Sequence, residues 1–160
     1  MRLEYFQLVD RVEEIDPVGG VIRTTALVPT QSTIFEGHFE GYPILPGVLL
    51  VECMAQTAGQ LVLVLEKFER MPFLTQIERA KLRRFVEPGT RLSVTGRLVH
   101  LGSGYAVASG RIEVEAGLVA EAEVRFRTLP FPNDAMRQLM FKEARKLGLE
   151  IPSASESPTA

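Results

Sequence analysis

The chain has no tryptophan, one cysteine and two histidines among its 160 residues, and these scarcities exclude several classes of protein. The single cysteine, Cys53, cannot form an internal disulfide bond, so the sequence lacks the disulfide framework that stabilises many small exported domains. No group of Cys, His and Asp has the spacing of a metal site. No glycine-rich phosphate-binding loop follows a predicted strand.

A strong net charge and long apolar runs are also absent. The formal net charge is −2, so overall charge gives no attraction to nucleic acid or to an anionic membrane. The longest uninterrupted apolar run, residues 61–65, is far shorter than a transmembrane span. Residues 1–6 contain an early acid and lack the apolar core of a signal peptide. We therefore predict a cytoplasmic protein that binds neither nucleic acid nor membranes.

The composition is that of a globular protein, and the pattern along the chain divides it into three parts. A hydrophobic content of 46% and a charged content of 24% are ordinary for a domain that buries its own core. We predict that residues 1–130 form this domain. Residues 131–150 are predicted to form an amphipathic helix that begins at Asn133 or Asp134. Residues 151–160, rich in Ser and Pro, are predicted to be a disordered tail.

A long buried helix is predicted near the middle of the chain. Residues 48–68 contain no proline and one glycine, Gly59, and apolar residues occur on every side of the helical wheel. Roughly twenty residues form a rod of about 30 Å. Residues 29–42, before this helix, are predicted to be a loop.

Period-two patterns predict strands around this helix. In the strand after Arg70, the side chains of Arg79, Lys81 and Arg83 are expected to share one face. Short turns separate the later strands, which favours antiparallel neighbours. The fold class is therefore predicted as α+β, an antiparallel sheet wrapped around the helix, with strands over residues 21–28, 91–99, 105–115 and 118–129.

His38 and Glu52 have surroundings that favour opposite chemical roles. His38 lies in the predicted loop, and a histidine side chain can exchange a proton near neutral pH. Glu52 lies within the apolar helix, where a carboxyl group tends to stay protonated. A base and an acid so placed can act as a pair. Gln56 lies one turn after Glu52 and could hold either its carboxyl group or a nearby backbone group.

The segment from Gly37 to Gln56 reads Gly-His-Phe-x-Gly-x-Pro-x-x-Pro-Gly-Val-Leu-x-x-Glu-x-Met-Ala-Gln. This motif resembles the signature of the hot-dog-fold 3-hydroxyacyl-(acyl carrier protein) dehydratases of FabZ type. Residues 8–12, 78–89 and 118–123 resemble the family's strands and turns, so the likeness covers about residues 4–128. A match at so many positions with fixed gaps is specific.

The resemblance implies a hot-dog fold and a hydro-lyase. The expected reaction converts 3-hydroxyacyl-(acyl carrier protein) to the trans-2-enoyl product, in the biosynthesis of fatty acids or of lipid A acyl chains. His38 would be the base and Glu52 the acid. Backbone N–H groups at the start of the helix would hold the thioester carbonyl. The substrate-binding residues would be Phe39, Pro46, Gly47, Val48 and Gln56.

The same resemblance implies partners. The family forms homodimers, and in many members trimers of dimers, in which His38 and Glu52 would come from different subunits. The substrate would be carried on the phosphopantetheine of acyl carrier protein, with no metal and no other cofactor. An acidic carrier requires a basic surface, although a basic strand face can also be simply solvated. The candidate docking residues are Arg79, Lys81, Arg83 and Arg84, together with the basic final helix.

Two features depart from the family pattern, and other functions stay open. Glu40 stands where the family usually has proline, and the C-terminal extension lies beyond the resemblance. Glu52 replaces the aspartate of the related dehydratase/isomerases, which argues against isomerase activity. An acyl thioesterase and a non-catalytic acyl-thioester binding protein, both of hot-dog fold, are the alternatives. Cys53 is expected to be a buried small hydrophobic residue instead of a nucleophile.

Overall fold

The structure, a computed structural model, describes residues 1–151 and contains six strands and three α-helices. A short 3₁₀ turn over Leu3–Tyr5 precedes the first strand. The strands are β1 (Arg11–Asp16), β2 (Val21–Leu27), β3 (Arg70–Leu82), β4 (Arg91–Gly102), β5 (Tyr105–Val114) and β6 (Gly117–Pro130). The helices are α1 (Thr33–Gly37), α2 (Gly47–Leu65) and α3 (Asp134–Lys146).

The strands form one antiparallel sheet in the order β1-β2-β4-β5-β6-β3, and this sheet wraps around α2. Because α2 meets the sheet on most sides, its residues Leu50, Met54 and Leu61 are at most 1% exposed. A buried polar contact in this interface joins the hydroxyls of Thr24 and Thr57 at 2.8 Å. The predicted α+β hot-dog arrangement is confirmed.

Helix α2 is long and apolar enough to cross a membrane by those two measures alone, with a mean hydropathy of 1.8. The uninterrupted apolar run 61–65 understates this, because a few polar residues and Gly59 divide the apolar residues of the helix into short runs. In the fold, 56% of the apolar window is buried. The sheet therefore accounts for its hydrophobicity, as expected of a core helix.

Strand β3 is thirteen residues long and lies at one edge of the sheet, paired with β6 alone. The predicted strict alternation along it is interrupted. Its register with β6 shifts between Leu74 and Gln76 and again between Glu78 and Lys81, and Arg79 has a φ of 50°. Such bulges bend an edge strand and change which way its side chains point.

The sequence predicted a loop between β2 and α2, but part of this segment is helical. Helix α1 forms within it, capped by Ser32, whose hydroxyl accepts a hydrogen bond from Ile34 N at 3.2 Å. A single five-residue helix gives little periodicity to detect from sequence. Its last residue, Gly37, directly precedes His38, so α1 fixes the position from which the His38 segment departs.

Helix α3 is present where a final amphipathic helix was predicted. Asn133 caps it by accepting a hydrogen bond from Met136 N at 2.9 Å. The ring of Phe141 stacks on Phe68 at 4.4 Å, and Arg137 Nε donates to the Phe68 carbonyl at 2.7 Å. These contacts attach α3 to the turn after α2. All but the first residue of the predicted tail, 151–160, lies outside the described residues.

Candidate active site

The backbone of His38 is hydrogen-bonded to residues on both sides of it in the chain. Its N–H donates to the Ile34 carbonyl at 3.0 Å, and its own carbonyl accepts from Ile44 N, also at 3.0 Å. The peptide bond between His38 and Phe39 is cis, and the two rings stack at 4.4 Å. The imidazole is half-buried, so it is both fixed and reachable.

The contacts of the His38 ring decide which nitrogen can act. Nδ1 lies 2.9 Å from the Ile44 carbonyl oxygen. A carbonyl can only accept a hydrogen bond, so Nδ1 carries the hydrogen in this contact. In the neutral ring, Nε2 then has a free lone pair and is the nitrogen able to take a proton.

Glu52 is fixed by a side chain on its own helix. Gln56, one turn later, donates from Nε2 to Glu52 Oε1 at 3.0 Å. Because this amide group occupies Oε1, the acidic proton of a neutral Glu52 would lie on Oε2. The half-buried carboxyl group is thus oriented for proton transfer from a defined oxygen.

Gln56 also ties α2 to the N-terminal segment. Its Oε1 accepts from Leu8 N at 3.0 Å, and its Nε2 donates to the Phe6 carbonyl at 2.8 Å. The two roles considered for this residue, holding the carboxyl group and holding a nearby backbone, are both present. Residues 6–8 therefore support the acid indirectly, which no short-range pattern in the sequence could indicate.

Within residues 1–151, the start of α2 offers N–H donors that have no acceptor. Pro46 is the N-cap residue and has no side-chain acceptor, so the helix leaves the N–H groups of Gly47 and Val48 without a partner from the cap. A Cβ at position 47 would collide with Cδ1 of Leu82, at the end of β3. A larger residue at position 47 would therefore have to move the Leu82 side chain, and the helix start lies against the last residue of β3.

A cavity of about 720 Å³ lies along α2 and contains the acid. Its walls are residues 71–74 of β3, the N-terminal segment including Phe6 and Val9, and one face of α3. His38 and four of the expected substrate-binding residues, namely Phe39, Pro46, Gly47 and Val48, do not line this cavity. From α2 it is lined by Glu52, Ala55, Gln56, Gly59, Gln60 and Leu63.

Gln60 is a lining residue that the sequence reasoning missed. Its side-chain Oε1 is buried and accepts no hydrogen bond within residues 1–151. The signal was present in the sequence, since Glu52, Gln56 and Gln60 are polar residues spaced four apart on an otherwise apolar helix. This spacing places them on one helix face.

The basic residues of β3 are largely engaged by acids of β6. Arg79 pairs with Glu123 at 2.5 Å, and Arg83 pairs with Glu121 at the same distance. Lys81 lies 4.0 Å from Glu121. The hydrogen bond from Arg83 holds the pKa of Glu121 below its ordinary value. In the part of the chain that the structure describes, the Arg84 side chain has no ion pair.

Cys53 is buried beside the candidate acid. Its Sγ lies 3.3 Å from the Leu8 carbonyl oxygen, and burial raises the pKa of the thiol to about 12. A thiol that stays protonated at neutral pH is a poor nucleophile. The geometry agrees with a role in packing.

Several of the exposed residues of β3 are large and apolar. Phe73, Leu74, Ile77 and Leu82 are between 37% and 50% exposed, although each is a large hydrophobic residue. Beyond the strand, Phe85 is 77% exposed. A long edge strand with open backbone groups and exposed apolar side chains is a surface suited to strand pairing.

Comparison with known sequences gives a consistent family. The FabA-like domain model matches residues 2–123. The chain is 37% identical over 134 residues to the 3-hydroxyacyl-[acyl-carrier-protein] dehydratase FabZ of Syntrophotalea carbinolica, covering 81% of this chain and 88% of that protein. It is 38% identical to the FabZ of Fusobacterium nucleatum, covering 76% and 85%.

Solved structures with the same fold carry other names. AziG of S. sahachiroi superposes with a TM-score of 0.63 at 21% identity, covering 81% of this chain and 96% of that chain. A hypothetical thioesterase of Streptococcus pneumoniae, solved with coenzyme A, gives a TM-score of 0.59 at 17% identity, covering 77% and 88%. At these identities the likeness shows the fold alone.

Proposed function

The chain belongs to the FabA-like family of hot-dog-fold dehydratases, and we propose that His38 and Glu52 are the residues that carry its reaction. The protein is a 3-hydroxyacyl-(acyl carrier protein) dehydratase, as its curated relatives are named. The observation that carries the assignment of roles is the matched orientation of the two groups. Within residues 1–151, no hydrogen bond engages Nε2 of His38 or Oε2 of Glu52.

The reaction follows from these orientations. His38 Nε2 removes a proton from C2 of the acyl chain, and negative charge develops on the thioester oxygen. The N–H groups of Gly47 and Val48 stabilise that oxygen, because helix N-termini carry positive partial charge. Glu52 Oε2 protonates the C3 hydroxyl, which leaves as water while the C2–C3 double bond forms. A proton returned from His38 to Glu52, directly or through solvent, restores both groups.

The active site is proposed to be shared between two subunits. Within one chain, Glu52 lines the cavity together with Phe73 and Leu74 in the first half of β3, whereas the segment with His38 does not line it. The start of α2 instead lies against Leu82, at the opposite end of β3. Two-fold antiparallel pairing of β3 would place the first half of each strand beside the second half of the other. That pairing would bring His38 toward the partner's Glu52.

The exposed apolar edge supports this homodimer. Pairing two thirteen-residue strands would satisfy open backbone groups and cover Ile77 and Leu82 together. Assembly into trimers of dimers is also proposed, on the family resemblance alone.

The substrate is proposed to arrive on the phosphopantetheine of acyl carrier protein, without a metal or other cofactor. Arg79, Lys81, Arg83 and Arg84 lie at or after the second half of β3, near the start of α2, and would form the basic entrance. Arg84 would contribute most, since the other three already face Glu121 or Glu123. The cytoplasm is the proposed compartment.

The test combines an assay with subunit exchange. The pure protein is incubated with 3-hydroxyacyl thioesters, and absorbance of the enoyl product is followed beside release of free thiol. Enoyl formation is expected, and thiol release alone would indicate a thioesterase. His38→Ala and Glu52→Gln should each be inactive, and mixing them should restore part of the activity. Inactivity of the mixture after demonstrated exchange would rule out a shared site.

A further inference from the structure

Helix α3 lies outside the region matched by the family, yet it forms part of the cavity that contains Glu52. The family match ends at residue 123, and α3 begins at Asp134. Three of its residues, Leu139, Met140 and Glu143, line the cavity, as does Leu147 just after the helix. A segment outside the family match therefore borders the space available to the acyl group.

One face of α3 packs against the core, and another borders the cavity. Phe141 and Ala144 are buried in an apolar cluster with Leu61 and Leu63 of α2. Leu139, by contrast, is 45% exposed although it is a large hydrophobic residue, and its exposed surface borders the cavity. The face with Phe141 attaches α3 to the core, whereas the face with Leu139 has no such structural role.

The attachment is firm enough for α3 to act as a wall. Besides the Asn133 cap and the Arg137 contact with the Phe68 carbonyl, the end of the helix joins the sheet edge. Val12 N donates to the Leu147 carbonyl at 2.7 Å. Both ends of α3 are thus tied to other elements, so its cavity face has a defined position.

Its position is far from the reacting atoms. Glu52 lies in the first third of α2, whereas the cluster with α3 involves Leu61 and Leu63. Eleven residues separate Glu52 from Leu63, which corresponds to about 16 Å along the helix. An acyl chain whose C3 lies at Glu52 and which follows α2 would reach α3 with its distal carbons.

We propose that α3 is the distal wall of the acyl cavity and limits the length of acyl chain that this enzyme accepts. The inference rests on the proposed role of Glu52, because that role fixes which end of the cavity holds C3. Each methylene that gains apolar cover contributes about fourfold to binding. A chain that exceeds the wall loses this gain and must displace Leu139 or Met140.

The experiment measures kcat/KM across 3-hydroxyacyl pantetheine thioesters of increasing chain length. These substrates lack a carrier protein, so any docking role of the basic side of α3 cannot contribute. Leu139→Trp should lower kcat/KM for the longest accepted chains by about tenfold or more, with short chains unchanged. Met140→Ala should shift the optimum toward longer chains.

Gln138→Trp is the matched control, since Gln138 is an exposed neighbour on α3 that does not line the cavity. It should leave the chain-length profile as in the parent. Thermal melting of each variant checks that it is folded, and Met140→Ala gives an opposite shift that loss of folding could not produce. Equal effects of Leu139→Trp on all chain lengths, or a profile shared with Gln138→Trp, would overturn the proposal. An inactive but folded parent would instead refute the assigned catalytic roles.

Discussion

The two halves of the candidate active site hold their reactive groups by different means. His38 is positioned by main-chain atoms, through the carbonyls of Ile34 and Ile44 and its own backbone. Glu52 is positioned by the side chain of Gln56, which in turn depends on the backbone of residues 6–8. Most side-chain substitutions around His38 should therefore leave its position unchanged, whereas the position of the Glu52 carboxyl group depends on the amide of Gln56.

This difference follows from where each group lies. A histidine just after a short helix has carbonyl groups within reach on both sides. A glutamate inside an apolar helix has its own backbone fully used by the helix, so its support must come from another side chain. The two halves should therefore respond differently to substitution.

The largest effect should come from separating the halves. Ile77→Asp places a charge at the exposed edge of β3 and should prevent strand pairing, with activity lost by about 10²–10⁴-fold, as if a catalytic group were missing. Sedimentation should show a smaller species and the enoyl assay should show the loss. Val99→Asp is the control, since Val99 is 60% exposed on β4, away from the edge. An active monomer would show that one chain suffices.

A smaller loss of kcat is expected when the side chain that holds Glu52 is removed, and none when a side chain beside His38 is changed. Gln56→Leu should lower kcat by up to about 10²-fold, because the acid is no longer held in line for transfer. Ile44→Val, in the other half, should leave kcat unchanged, since the carbonyl that holds His38 remains. Steady-state kinetics on folded variants measures both. A loss of kcat in Ile44→Val as large as that in Gln56→Leu would contradict the distinction.

The entrance should respond more weakly. Arg84→Glu should raise KM for carrier-bound substrates about fivefold and leave pantetheine thioesters unaffected, because surface charges act mainly on encounter. The effect should decrease with added salt. Arg97→Glu, on an exposed position of β4, serves as the control. Equal changes with both substrate types would place docking elsewhere.

The smallest effect concerns the stability of the fold at Gln60. Gln60→Leu removes a buried oxygen that accepts no hydrogen bond within residues 1–151, and it should raise the free energy of unfolding by about 1 kcal/mol. Urea denaturation measures this difference, with Gln138→Leu on the surface as the comparison. A destabilised Gln60→Leu protein would mean that the amide has a partner in solution.

The fold and part of the candidate site were accessible from the sequence. The all-round hydrophobicity of α2 predicted a central helix, and the motif placed His38, Glu52 and Gln56 in their segments. The family assignment is confirmed by the match over residues 2–123. These features depend on residues that are close together in the chain.

The remainder depends on contacts between distant segments. Ion pairing of Arg79 and Arg83 with β6 is set by a register that contains two shifts, which alternation cannot predict. Support of Gln56 by residues 6–8 spans about fifty residues. The cavity face of α3 depends on how the helix packs against α2, because its apolar stripe alone does not say which residues face the core.

Cys53 gives the protein a convenient property for spectroscopy. The thiol is fully buried and its pKa is raised from 9.0 to about 12, so in the folded state it should not react with maleimide or iodoacetamide dyes near neutral pH. A single cysteine introduced at an exposed position such as Gln138 would then be the sole labelled site without removal of the natural one. Donor-labelled and acceptor-labelled subunits could be mixed, and energy transfer between them would report exchange in real time.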